Sequence, residues 1–334
     1  MTTTYRILCA ILALGLASFA CSVNLTDTPA SPTQAPGSTD AAPILASATP
    51  MPPTVAPTIA STTTPALTLE QLKNSEVQIT GTSSVAGAPQ IRIVKLTDGV
   101  FQQGSDPAGT DYVSVHMGKQ VAFGDLNGDG VDDAAIIIGE NYGGTGDFVS
   151  VVAMLNQGGQ PVFTGSSGVD DRPAINSIDI RDGQILLDAV VHGPNDPGCC
   201  AAQPAKETFR LWGGKLVRTG LSSATPDNNQ RMIKIDSPAP GTTVSGPFTL
   251  KGSFTIAPFE NNLAYTVFLE GAPEPVVQSS ITVNAAQPGS AGTFELPLDF
   301  SSAGIQGNIR IEISDVSPAD GSYLALETLF LTVK

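Results

Sequence analysis

From residue 67 onward, apolar and polar positions alternate in short runs separated by turn residues. Ile91-Arg-Ile-Val-Lys-Leu96 has a period of two and meets Asp98-Gly99, a dipeptide suited to tight hairpins. Tyr112 to Met117, Ala134 to Ile138 and Phe148 to Leu155 form further strand-like runs. Ile175 to Ile180 and Gln184 to Val191 flank Arg181-Asp-Gly183, a second hairpin signal. Thr208 to Trp212 and Lys215 to Val217 flank Gly213-Gly214, a third. One short helix is expected just before these strands. Thr68 and Gln71 have the spacing of a capping box, and Leu67 and Leu72 that of a hydrophobic staple. The pattern predicts a mainly antiparallel β domain over 67–222 with one short N-terminal helix.

The polar stretch 223–231 has little to bury and reads as a linker. Beyond it, over 232–334, come seven more short runs: Met232 to Ile235, Phe248 to Phe254, Ala264 to Leu269, Ser280 to Val283, Gly292 to Leu296, Asn308 to Ser314 and Glu327 to Val333. Seven strands in about 100 residues is the arithmetic of an immunoglobulin-like β-sandwich. Ile235-Asp-Ser-Pro-Ala-Pro-Gly241, Val244, Pro247, Gly252, Phe259-Glu260, Gly292-Thr-Phe294, Asp315 and Asp320-Gly321 make the match more specific. On these residues, 232–334 resembles the immunoglobulin-like domain of bacterial spore germination. The resemblance implies an accessory module of exported proteins. It does not imply a role in germination, because fold does not fix function.

The first residues have a different pattern. Arg6 precedes an uncharged apolar run from Ile7 to Ala20, about 14 residues, short of the roughly 20 that span a bilayer. The run ends in Ala20-Cys21. Residues 1–21 resemble a bacterial lipoprotein signal, which implies lipidation at Cys21 and a membrane-anchored protein at the cell surface. Ser18 and Phe19 depart from the usual lipobox, and an ordinary cleaved secretory signal is the alternative. Residues 22–66 follow as a disordered linker. From Thr28 to Ala66 it is nearly all Pro, Thr, Ala and Ser, with nine prolines and one charge, Asp40. Such a segment has no core to form and reads as a semi-extended spacer.

Charge narrows the function classes. The chain has 334 residues, 16 basic and 31 acidic, for a net charge of −15. That balance excludes a nucleic-acid partner, which requires a basic face to displace counterions. With 34 glycines and 26 prolines, turns dominate and a coiled coil is excluded.

The strongest chemical signal is Asp125-Leu-Asn127-Gly-Asp129-Gly130-Val131-Asp132-Asp133. Side-chain oxygens at loop positions 1, 3, 5 and 9, a backbone carbonyl at 7 (Val131) and glycine at 6 suit Ca²⁺, which takes six to eight hard oxygens. An EF-hand needs Glu at position 12, and Ile136 stands there in a β-branched run. The loop instead resembles the calcium loop of integrin-type FG-GAP repeats, which implies Ca²⁺ held by Asp125, Asn127, Asp129, Val131 and Asp133 in a structural role. The alternative is a plain acidic turn.

A second motif is His192-Gly-Pro-Asn-Asp-Pro-Gly-Cys199-Cys200. A vicinal disulfide between Cys199 and Cys200 suits an exported protein; reduced thiols and a soft-metal or redox site are the alternatives. Glu140 to Asp147 is a glycine-rich hairpin loop with no phosphate-loop lysine. Trp212 reads as a core residue or as a platform for sugar stacking. No nucleophile triad or zinc-protease motif is present, so the expected function is a non-enzymatic binding or spacing module with a cell-envelope glycan or protein as partner. A hydrolase using carboxylates of 67–222 is the rival.

Overall fold

The capping box forms. In this computed structural model, which describes residues 64–81, 90–301 and 303–334, helix α1 (Leu69–Lys73) starts at Thr68. The Thr68 hydroxyl accepts the Gln71 N–H at 3.2 Å, and the Gln71 side chain accepts the Thr68 N–H at 2.9 Å. Leu67 and Leu72 are both buried in the core beneath. Cys21, the rest of the expected signal and residues 22–63 lie outside the described residues. No helix among the described residues is long and apolar enough to cross a membrane.

The rest is mainly β. Strands β1 (Glu76–Gly81) and β2 (Gln90–Lys95) pair as a hairpin. A five-stranded antiparallel meander follows: β3 (Val100–Gln103), β4 (Val113–Gly124), β5 (Asp133–Asn141), β6 (Phe148–Gln157) and β7 (Gln160–Asp171). Both faces of this sheet are covered. Alternate residues of β5 serve two cores: Ala134, Ile136 and Ile138 join Leu72, Val77 and Ile79. Ala135 and Ile137 join Ile185, Leu187 and Phe209 on the other side. The second core is closed by β8 (Ala174–Arg181), β9 (Gln184–Val191), β10 (Gln203–Trp212) and β11 (Lys215–Ala224).

After β12 (Gln230–Arg231) come β13 (Ile233–Ser237), β14 (Thr243–Val244), β15 (Phe248–Phe254), β16 (Asn262–Leu269) and β17 (Val277–Thr282). Next are β18 (Asn284–Ala285), β19 (Gly292–Leu298), β20 (Gly307–Val316) and β21 (Tyr323–Val333). The sheet β13-β15-β19-β18 packs over β17-β16-β20-β21 around Leu250, Leu263, Phe294, Ile309 and Ile311. Gly252 stands opposite Phe294, and a Cβ there would lie 2.3 Å from the ring, so only glycine lets the aromatic lie across the strand.

The two regions share a sheet. β11 pairs with β21 through Gly220 opposite Glu327 and Leu221 opposite Leu326, giving a ten-stranded sheet from β8 to β17. The polar stretch 223–231, expected as linker, contains the end of β11 and all of β12, which pairs back onto β11. Arg231 forms an ion pair with the buried Asp315 of β20. The described residues thus pack as one compact unit. Strand β7 carries Gly, Ser and Asp where a sequence pattern expects apolar residues, and Gly165 sits where a Cβ would meet the Leu216 backbone at 2.6 Å.

Candidate functional site

The loop between β4 and β5 folds around Asp125. One carboxylate oxygen accepts the N–H groups of Asn127 at 3.1 Å and Gly128 at 2.6 Å; the other accepts that of Gly130 at 2.8 Å. These backbone donors, Gly130 first, hold the Asp125 carboxyl below its usual range. Asn127 accepts the Asp129 N–H at 2.9 Å and donates its amide to Asp129 at 3.0 Å, while Asp129 accepts the Val131 N–H at 2.8 Å. Gly130 has φ +82°, the left-handed turn expected at that position. Asp133 points inward and is fully buried, accepting the N–H groups of Leu126 at 2.9 Å and Asn156 at 2.8 Å. Burial pushes its carboxyl up, against those donors, and repulsion from Asp129 and Asp125 adds to the rise.

The predicted calcium ligands are therefore gathered in one loop. The side-chain oxygens of Asp125, Asn127, Asp129 and Asp133 are engaged with loop and core N–H groups, and no group of three His, Cys, Asp or Glu side chains among the described residues is arranged to hold a metal. The donor chemistry, three carboxylates and an amide oxygen, suits a hard cation.

The same loop forms one wall of a groove of about 800 Å³. Asp125 and Asn127 face it from the β4–β5 loop, Asp182 from the β8–β9 turn, Arg210 and Trp212 from the end of β10, and Glu270 from beyond β16. Gly124 makes the assembly possible, because a Cβ there would lie 2.8 Å from Ile180 Cγ2 and push β8 away from the loop. Glu270 is held in place: its N–H donates to the Asn308 carbonyl at 2.9 Å, and the Asn308 amide donates to its carboxylate at 2.8 Å. An indole, several carboxylates and a guanidinium can together bind a ligand that has both apolar faces and hydroxyl groups.

The last part of the chain carries an independent likeness. Residues 232–322 match the family described as the immunoglobulin-like domain of bacterial spore germination. No curated protein matches the chain. Two-layer β packing and the Gly252–Phe294 pair fit that match. The immunoglobulin-like domain supplies Glu270 to the groove, and its outer face supports Trp212. Arg310 of β20 lies 5.0 Å from the Trp212 ring and 4.0 Å from the Phe268 ring, with Glu312 at 3.1 Å as ion partner. Phe330 packs on Trp212 at 6.2 Å, and the Arg210 guanidinium lies 5.7 Å over Phe330.

Sequence reasoning weighed Trp212 as core or platform; it is half-buried and lines the groove. It missed Asp182, Arg210 and Glu270, which are distant in sequence and carry no motif. Asp182 alone had a signal, as the centre of a predicted hairpin turn.

The cysteine loop joins β9 to β10 on another part of the molecule. Cys199 and Cys200 are bonded to each other and exposed. Asp196 ties the loop by accepting the N–H groups of Gly193 at 2.8 Å and Ala202 at 2.9 Å, and Arg172 donates to the Gly198 carbonyl at 2.5 Å. His192 contacts Asp170 at 2.9 Å, and His116 lies 3.5 Å from Asp147. The Asp147 N–H donates to the Asp171 carboxylate at 2.8 Å and the Asp171 N–H donates to the Asp170 carboxylate at 2.8 Å, which links the two pairs.

Proposed function

We propose that the chain is an exported, lipid-anchored protein of the cell surface that acts as a non-enzymatic binding or spacing module, with a cell-envelope glycan or protein as partner. The observation that carries this reading is the ten-stranded sheet, in which the immunoglobulin-like domain and the first β region are joined through β11 and β21. A single folded body on a Pro-rich tether is suited to presenting a binding surface away from a membrane. The match to a domain of bacterial spore germination supports a binding module without specifying the process.

The rival, a hydrolase, needs a carboxyl kept protonated near neutral pH beside a second carboxylate. The carboxyls pushed up to about 7 by burial are Glu207 and Glu327, and neither lines the groove. Asp125, which does, is held low. Calcium belongs to the proposal as a structural ion at Asp125, Asn127, Asp129, Val131 and Asp133, drawn by four carboxylates within nine residues.

Pull-down on purified cell wall tests the binding role; retention of the full chain is expected, and passage without retention refutes it. Metabolic labelling with a palmitate analogue tests the anchor. Label is expected on the wild type and not on Cys21→Ser; equal labelling of both disproves lipidation there.

A further inference from the structure

We infer that the groove between the β4–β5 loop and the β10–β11 turn binds a neutral, hydroxyl-rich oligosaccharide, an inference that rests on the binding-module reading and gives it a location. Size is the first argument. About 800 Å³ lies within the roughly 300–1,000 Å³ usual for ligand sites. The lining is mixed as a sugar requires: Trp212, Leu155 and Leu211 offer apolar surface to the C–H faces of a pyranose, while Asp182 and Glu270 accept hydroxyl protons.

The polar groups are set before any ligand arrives. Asn308 fixes Glu270, three backbone N–H groups fix Asp125, and Asp182 sits at φ +51° in a tight turn. The indole is braced by Arg310 and Phe330, neither of which lines the groove. Rigid donors and acceptors reduce the ordering cost of binding. Charge selects against anionic polymers, since three carboxylates face the groove with one guanidinium, Arg210. The same net negative lining favours a cationic polymer, so a cationic saccharide is the competitor that the test must exclude.

Titration calorimetry on the full chain, with a panel of neutral oligosaccharides of hexoses and N-acetylhexosamines, an oligogalacturonate and a de-N-acetylated cationic hexamer, tests this. Binding is expected for a neutral member, with little dependence on salt, and no binding for the oligogalacturonate. Trp212→Ala should weaken binding about tenfold or more. Trp212→Phe, which preserves the packing on Arg310, should retain most of it, and Asp182→Asn should weaken it several-fold at an unchanged melting temperature. The inference is overturned if no neutral saccharide binds, if the cationic hexamer binds more tightly, or if both Trp212→Ala and Asp182→Asn bind like wild type. Two outcomes separate the groove from the broader reading. Wall material retained equally by wild type and Trp212→Ala leaves the binding module standing and removes the groove. Groove-dependent saccharide binding by a chain that ignores cell wall does the reverse.

Discussion

Strands β5 and β20 are both interior strands with three isoleucines, consecutive in β5 and alternate in β20. In β5 the run Ala134 to Ile138 points apolar residues to both faces, and a core covers each. In β20, Ile309, Ile311 and Ile313 all enter one core, while Arg310, Glu312 and Ser314 face the other way. Alternation of that kind usually marks a strand with one wet face. Here the polar face is buried too, with Arg310 6% and Glu312 9% exposed, because Trp212 of the first region and Phe268 cover the guanidinium. Alternation records the chemistry of a face and leaves open whether water reaches it.

The largest expected effect comes from removing the charge that this burial makes costly. Arg310→Ala should destabilise the protein by about 3 kcal/mol or more, because Glu312 is left buried without its ion partner. Ile137→Ala in β5 should cost a similar amount, about 2–5 kcal/mol, from lost packing. Urea denaturation of both variants compares the two faces; an Arg310→Ala loss below about 1 kcal/mol would mean that water reaches the polar face.

Within the second region, Gly252→Ala should cost about 1–3 kcal/mol by forcing the Phe294 ring off its strand. A melting temperature equal to wild type would contradict the close approach described.

Calcium distinguishes the regions by composition. If the 125–133 loop binds Ca²⁺ with a dissociation constant near 10⁻⁴ M, millimolar Ca²⁺ adds about 1.4 kcal/mol. Chelator should then lower the melting temperature by a few degrees, and Asp125→Ala should abolish that sensitivity. An unchanged melt, with no heat of Ca²⁺ binding by calorimetry, would leave the loop an acidic turn.

The smallest effect is at the joint itself. Burial pushes Glu327 up to about 7, above its ordinary 4.5. Between these values the folded chain binds more protons than the unfolded one. The contribution is complete below about pH 4.5 and is lost as pH rises through about 7. Glu327→Gln should therefore stabilise by about 1 kcal/mol near pH 8, allowing for solvent screening, and do nothing near pH 4. Thermal melts at both pH values check the sign; a gain at low pH would contradict the burial of this carboxyl.

Much of the fold was legible for local reasons. The capping box at Thr68, the hairpin turn at Arg181-Asp-Gly183 and the strand Phe248–Phe254 each follow from a few adjacent residues, whereas Asp98-Gly99 makes a tight turn bridged only by Thr97 and Val100, and the strands on either side of it pair into different sheets. Strand β7 was not legible, because its partners β6 and the face of β11 tolerate Gly and Ser where close backbone approach matters more than side-chain burial. The groove was legible only in fragments. Asp125 and Asn127 announce a loop, but nothing near Glu270 or Arg210 in sequence indicates a shared site.

By itself the sequence determined the mainly β class, the immunoglobulin-like character of residues 232–322 and the acidic loop, because period, turn chemistry and the spacing of acidic residues are properties of neighbours along the chain. Only the tertiary structure decided that β11 would pair with β21, that Arg310 would be buried against Trp212, and that three loops and a strand end would enclose one groove. Those outcomes depend on contacts across about 100 residues, such as Leu221 with Leu326, where the closing of sheets and the exclusion of water act together and no local pattern records the partner.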